Sequence, residues 1–133
     1  MAASVTADLA AWLVADDGPI ATDEARARAA QPGPWDVFDS DMPGEHTVRH
    51  RNPNGTPDPH RVATTTGLHC AALDAEHIAT WDPDRVLAEC AAKRQIIEAT
   101  WGGPDHEQMW EHAVRALAQP YAGRPGWRDE WRN

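Results

Sequence analysis

Apolar residues recur at helical spacing toward both ends of this chain and alternate at strand spacing in its middle, a pattern that predicts helices flanking a sheet. Leu9, Trp12 and Leu13 form the first apolar stripe, with Thr6 placed to cap it. Asp16-Asp17-Gly18-Pro19 interrupts that stripe. A second helical stretch through Ala25–Ala30 follows, with Thr22 as its expected cap and Asp23 and Glu24 in its first turn, where acids suit the positive end of the helix dipole. Gln31-Pro32-Gly33-Pro34 stops it, because proline lacks an amide donor and disfavours helix in the residue before it.

From Trp35 the period shortens. Trp35–Phe38, His46–Arg49 and Arg61–Thr65 read as short strands, and Asp41-Met42-Pro43-Gly44 and Asn52-Pro53-Asn54-Gly55 carry turn chemistry between them. The expected product is an antiparallel meander of two or three strands. A sheet that small is marginal alone, so helices must cover one of its faces. Leu68–Thr80 is expected to form a helix with Leu73, His77 and Ile78 inward. The strongest helix signal comes next: Asp82 as N-cap, Pro83 at the first helical position, and Asp84 in the first turn. Its apolar stripe is Val86, Leu87, Cys90, Ala91, Ile97 and Trp101, and Gly102-Gly103-Pro104 ends it. Asp105 is the expected cap of a last helix with Met109, Ala113, Val114 and Leu117 inward, ended by Pro120. The predicted fold is therefore α+β in a single domain: helical over 1–31, a β meander over 34–66, two to three helices over 68–119, and an aromatic, arginine-rich tail over 120–133.

Composition narrows what such a domain can do. A chain of 133 residues buries roughly two-thirds of its unfolded surface and needs no staples. Its net charge of −9, from 21 acids and 12 bases, argues against general nucleic-acid binding, which needs a surplus of cations to displace counterions, and against an anionic membrane surface. No segment has the order of a signal peptide or the length of a membrane span. The expectation is a cytoplasmic protein with Cys70 and Cys90 reduced.

Seven histidines raise the question of a metal. His46 and His50, four apart, would share one side of a strand, and His69 and His77 lie downstream with Asp74 between them. The spacing matches no zinc template, so these four are weak candidates and no metal or cofactor is expected. No Ser, Cys or acid constellation suggests a catalytic residue. Cys90 lies on an apolar stripe, and Glu107 and Glu111 read as a solvated face. Binding residues are easier to nominate. Tyr121, Trp127, Arg128 and Trp131 are of the types enriched at interface hot spots. The same tail could instead wrap its own domain and bury its indoles. A pocket for a base or a phosphate would be lined by Trp35, Trp81, Arg85 or the arginines of the tail.

Three segments carry a family resemblance. They are the helix running into Ala29-Ala30-Gln31-Pro32-Gly33-Pro34-Trp35, the stretch Glu76-His77-Ile78-Ala79-Thr80-Trp81-Asp82-Pro83-Asp84-Arg85-Val86-Leu87-Ala88-Glu89 continuing through Ala92-Lys93-Arg94, and Leu117-Ala118-Gln119-Pro120-Tyr121 continuing through Gly126-Trp127-Arg128 to Trp131-Arg132. In these the chain resembles a family of small uncharacterised proteins from actinobacteria and their phages, and the first two are distantly similar to small phage proteins of the Ead or Ea22-like group. The resemblance carries no activity. It implies a phage or prophage accessory protein acting in the host cytoplasm. The function expected first is therefore non-enzymatic binding of a host protein, with homo-oligomerisation open. Capture of a nucleotide signal is the second reading, and a metal-dependent enzyme built on His46, His50, His69 and His77 the third.

Overall fold

The computed structural model describes residues 4–99 and 104–133. Its fold is α+β, in the order α1 (Val5–Val14), α2 (Pro19–Ala29), β1 (Trp35–Asp39), β2 (Glu45–Arg51), β3 (Pro57–Thr66), α3 (Ala71–Thr80), α4 (Pro83–Glu98) and α5 (Pro104–Ala118), followed by 3-10 turns at Gln119–Tyr121 and Asp129–Trp131. The residues group into two compact units, Met1–Ala25 with Glu89–Asn133, and Arg26–Ala88.

The unit Arg26–Ala88 holds the meander. The three strands lie in the order β1-β2-β3, all antiparallel, with Trp35 opposite His50, Val37 opposite Val48, and Val48 opposite Ala63. Helix α3 covers one face, as a sheet this small requires. Its inner residues are Ala71, Ala75 and Ala79, with Ile78 beside them, packed with Val48, Trp35, Val37, Val62 and Ala63. The expected inward placement of Leu73 and His77 is overturned, since both point to solvent. At 100° per residue Ala71, Ala75, Ile78 and Ala79 share one stripe while Leu73 and His77 lie opposite. The alanines let the helix backbone approach the sheet closely. The uncovered face is polar and closed by long side chains: Arg51 Nε donates to Asp36 (2.7 Å) with its guanidinium over the Phe38 ring, Arg61 pairs with Glu45 (3.1 Å), and Arg49 Nε donates to the hydroxyl of the buried Thr47 (3.1 Å).

In the other unit α1 packs against α5, with Leu9, Leu13, Ile20, Cys90, Ile97, Val114 and Ala118 buried. Ser4, not Thr6, caps α1, accepting from the Ala7 amide (3.0 Å). Thr6 is buried and donates to Glu111 (3.2 Å), which places Glu111 at a packed contact and not on a purely solvated face. Helix α2 starts at Pro19, three residues ahead of the expected cap, and Thr22 donates instead to the Gly18 carbonyl (2.8 Å). Proline at a first helical position gives up no bond, since its missing N–H is an orphan there anyway. Ala91 and Met109, expected inward, are exposed, and Trp110 turns in to donate to the Ile97 carbonyl (3.0 Å). The expectations for Trp101, Gly102 and Gly103, and for an Asp105 side-chain cap, lie outside the described residues.

The tail folds back on this unit. Trp12 stacks on Trp131 with ring centroids 5.2 Å apart and meets Trp127 edge-on at 5.8 Å. Gly126 permits this approach. Its φ is +88°, and a Cβ there would lie 2.5 Å from Trp12 Nε1, the atom that donates to the Pro125 carbonyl (3.1 Å). Gly126→Ala combines a left-handed backbone with that clash and is expected to cost about 1–3 kcal/mol in urea unfolding. An unchanged midpoint would show that the tail seats differently.

Candidate functional site

The site is built around one buried carboxylate. Helix α4 begins at Pro83, and its first amides have no intrahelical acceptor. Asp82 answers as N-cap: its Oδ1 accepts the Arg85 amide (2.9 Å). Its other oxygen, Oδ2, accepts the amide of Trp35 at the start of β1 (3.1 Å). One side chain thus ties the first strand to the helix start. The connecting loop approaches closely, through a cis Gly33–Pro34 peptide. A Cβ on Gly33 would meet Asp84 Oδ2 at 2.6 Å and Asp82 Oδ2 at 3.0 Å. The Trp35 indole donates to the Gln31 carbonyl (2.9 Å), and His50 Nδ1–H donates to Pro32 (2.9 Å). Gly33-Pro34-Trp35 and Asp82-Pro83-Asp84-Arg85, two of the segments that carry the resemblance, are therefore in contact.

Next to this junction lies an exposed row. Leu73, His77, Trp81 and Arg85 follow at four-residue spacing along α3 and into α4. Leu73 is 64% exposed and Trp81 45%. The Arg85 guanidinium lies 4.3 Å from the Trp81 ring centroid, and the His77 ring is 6.5 Å away on the helix side. Alongside, β1 and α3 leave a cleft of about 330 Å³ lined by Trp35, Asp36, Val37, Glu76, Ala79 and Thr80. Trp35, Trp81 and Arg85, nominated together from the sequence, are placed on this one junction. Nothing in the local pattern singled out Asp36, Glu76 or Thr80.

The other nominated residues, Tyr121, Trp127, Arg128 and Trp131, lie in the unit of Met1–Ala25 with Glu89–Asn133, where their contacts are with their own chain. Tyr121 is buried, with Lys93 Nζ donating to its hydroxyl (2.8 Å). Trp131 is buried and Trp127 half-buried. Arg124 pairs with Asp23 (3.0 Å), and Arg128 reaches Asp8 (3.5 Å) and lies over the Trp131 ring.

The histidines do not converge. His46 Nδ1 is 3.5 Å from Asp39, His50 is engaged by Pro32, and His69 and His77 are exposed. Among the described residues no group of three or more His, Cys, Asp or Glu is placed to hold a metal ion. Both cysteines are free thiols. Burial, followed by the charges of Glu24 and Asp23, pushes the Cys90 thiol above its ordinary range, so that it is held protonated. At the sheet edge, the His60 amide donating to Asp58 holds that carboxyl below its ordinary range.

No helix among the described residues is long and apolar enough to cross a membrane. No curated protein and no solved structure matches the chain. A family of unknown function, DUF6221, is matched over residues 6–133, from α1 through the aromatic tail, and the chain belongs to that family.

Proposed function

We propose that this is a non-enzymatic binding protein of the phage or prophage accessory type, which modulates a host protein by docking it on the Leu73–His77–Trp81–Arg85 row. The observation that carries the reading is Trp81. It is a large indole, 45% exposed, carrying a stacked guanidinium, and anchored next to a buried N-cap. Trp and Arg are the residues that dominate interface hot spots, and a ring held in place loses little entropy on binding. Leu73 extends the apolar area along the same helix.

The resemblance to small phage proteins supports a host cytoplasm as the setting. The placement of Cys90 and of the histidines supports a binding role over a chemical one: Cys90 is buried as a thiol, and His46 and His50 are engaged structurally. Capture of a nucleotide signal in the cleft beside the row is the second reading, and the Glu76 carboxylate in its wall opposes a phosphate.

The test is affinity capture from host lysate with the wild type, Trp81→Ala and Arg85→Ala. A specific partner should be retained by the wild type and weakened at least about tenfold by Trp81→Ala, the size of a hot-spot truncation. Melting temperatures should stay unchanged, because the ring is exposed. Equal retention by Trp81→Ala would overturn the reading.

A further inference from the structure

We infer that the cleft between β1 and α3 receives an arginine side chain of the partner protein, an assignment that rests on the docking face proposed above. It follows from which hydrogen-bonding groups in the cleft wall are already used. The donors are spent. The Trp35 amide donates to Asp82 (3.1 Å) and its indole N–H to the Gln31 carbonyl (2.9 Å). The Val37 amide is taken by Asp36 Oδ1 (2.8 Å), and the Thr80 hydroxyl donates to the Glu76 carbonyl (2.7 Å). The amides of Glu76, Ala79 and Thr80 lie within α3 and bond to its preceding turn.

The acceptors are not spent. Asp36 opposes Arg49 and Val37 opposes Val48 across the ladder. The Arg51 amide donates to the Pro34 carbonyl (2.9 Å), whereas the Trp35 amide turns away to Asp82. In the alternation of an antiparallel ladder Val37, two residues on, also turns its backbone groups outward. Its carbonyl is therefore available. Thr80 Oγ1 keeps acceptor capacity. The Glu76 carboxylate makes no hydrogen bond or ion pair with a described residue. The charge of Asp36 is offset by Arg51 (2.7 Å), so Glu76 supplies the uncompensated negative charge.

A wall that only accepts, bears one net negative charge and includes an indole selects a cation that only donates. Guanidinium has five donors and no acceptor, and its plane stacks on aromatic rings. The more strongly hydrated ammonium of lysine, a compact point charge, matches a flat wall less well. A phosphate or carboxylate would meet like charge and find no donor. The size agrees: about 330 Å³ is near the lower end of small-ligand sites, suited to one side chain and too small for a folded element.

The test is an NMR titration of the ¹⁵N-labelled full chain with acetyl-Ala-Arg-Ala-amide and with its citrulline counterpart, which keeps the shape and removes the charge. Saturable shifts are expected at the Trp35 indole and the Thr80 amide with the arginine peptide, with binding at least about tenfold weaker for citrulline. Glu76→Gln, an exposed substitution that leaves the helix intact, should weaken the arginine peptide by about tenfold, the loss of one charge-assisted contact. No saturable shift, equal binding of the two peptides, or an indifferent Glu76→Gln would each overturn the assignment. The outcomes also separate the two proposals. If Trp81→Ala releases the lysate partner while both peptides bind alike, the docking face stands and the arginine assignment falls. If the arginine peptide is selected while Trp81→Ala keeps the partner, the cleft's preference stands and the docking face falls.

Discussion

Trp131→Ala is expected to cost about 3–5 kcal/mol of folding stability, the range for truncating a large buried aromatic. The ring is 1% exposed, lies 5.2 Å from Trp12 at a tilt of 36°, and meets Trp127 edge-on at 5.8 Å. It is the largest fully buried side chain described and fastens the end of the chain onto α1. Measured by urea unfolding, the loss would remove a large part of the 5–15 kcal/mol typical of a domain. A second variant separates packing from polarity. The indole N–H groups of Trp127 and Trp131 are buried without a partner among the described residues. A buried orphan donor costs about 1–3 kcal/mol. Trp131→Phe keeps most of the apolar area and removes one orphan, so its cost should be less than half that of the alanine variant. A cost below about 1 kcal/mol for Trp131→Ala would mean that the tail does not hold this unit together.

Asp82→Ala is expected to cost about 2–4 kcal/mol, because one deletion strands two amides. The Arg85 amide loses its cap at the start of α4, and the Trp35 amide loses its acceptor at the start of β1. Asp82→Asn should fall between the two: a single carbonyl oxygen can serve one of the amides, while the NH₂ group faces the other. Hydrogen exchange at Trp35 and Arg85 resolves which. Both amides should lose protection in the alanine variant, and only one in the asparagine variant. If Asp82→Asn matched the wild type in stability and exchange, the carboxylate would not be bridging strand and helix. The same loss should loosen Trp81 and Arg85, coupling stability to the proposed docking face.

Much of this architecture could be read directly from the chain, for local reasons. Pro32 and Pro34 stop α2, the period changes at Trp35, and turn residues separate three strand-forming runs. Asp82 followed by Pro83 marks the start of α4. Each of these is decided within one turn or one strand, by a missing donor, a fixed φ or a side-chain oxygen in reach of the next amide. Trp35, Trp81 and Arg85 lie beside that cap, Trp81 as its neighbour in sequence and the other two through their amides.

What a helix buries is a different kind of question. Periodicity on α3 is compatible with Leu73 and His77 inward or with Ala71, Ala75 and Ala79 inward. The alanines won because a sheet of three strands approached by small side chains buries Val48, Trp35 and Val37 beneath the helix. Met109 was turned outward on α5 in the same way, with Trp110 taking a carbonyl on the inner side. Of the hot-spot residue types in the tail, Trp127 and Trp131 pack on Trp12. Nor could the second role of Asp82 be read locally, since its acceptor meets an amide 47 residues away. The cleft exists only where β1 passes α3, and its acceptor-only wall depends on which donors the fold has already used. Caps, turns and periods follow from neighbours along the chain. The faces that meet, and the polar groups left over once they have met, follow from distances that sequence order does not contain.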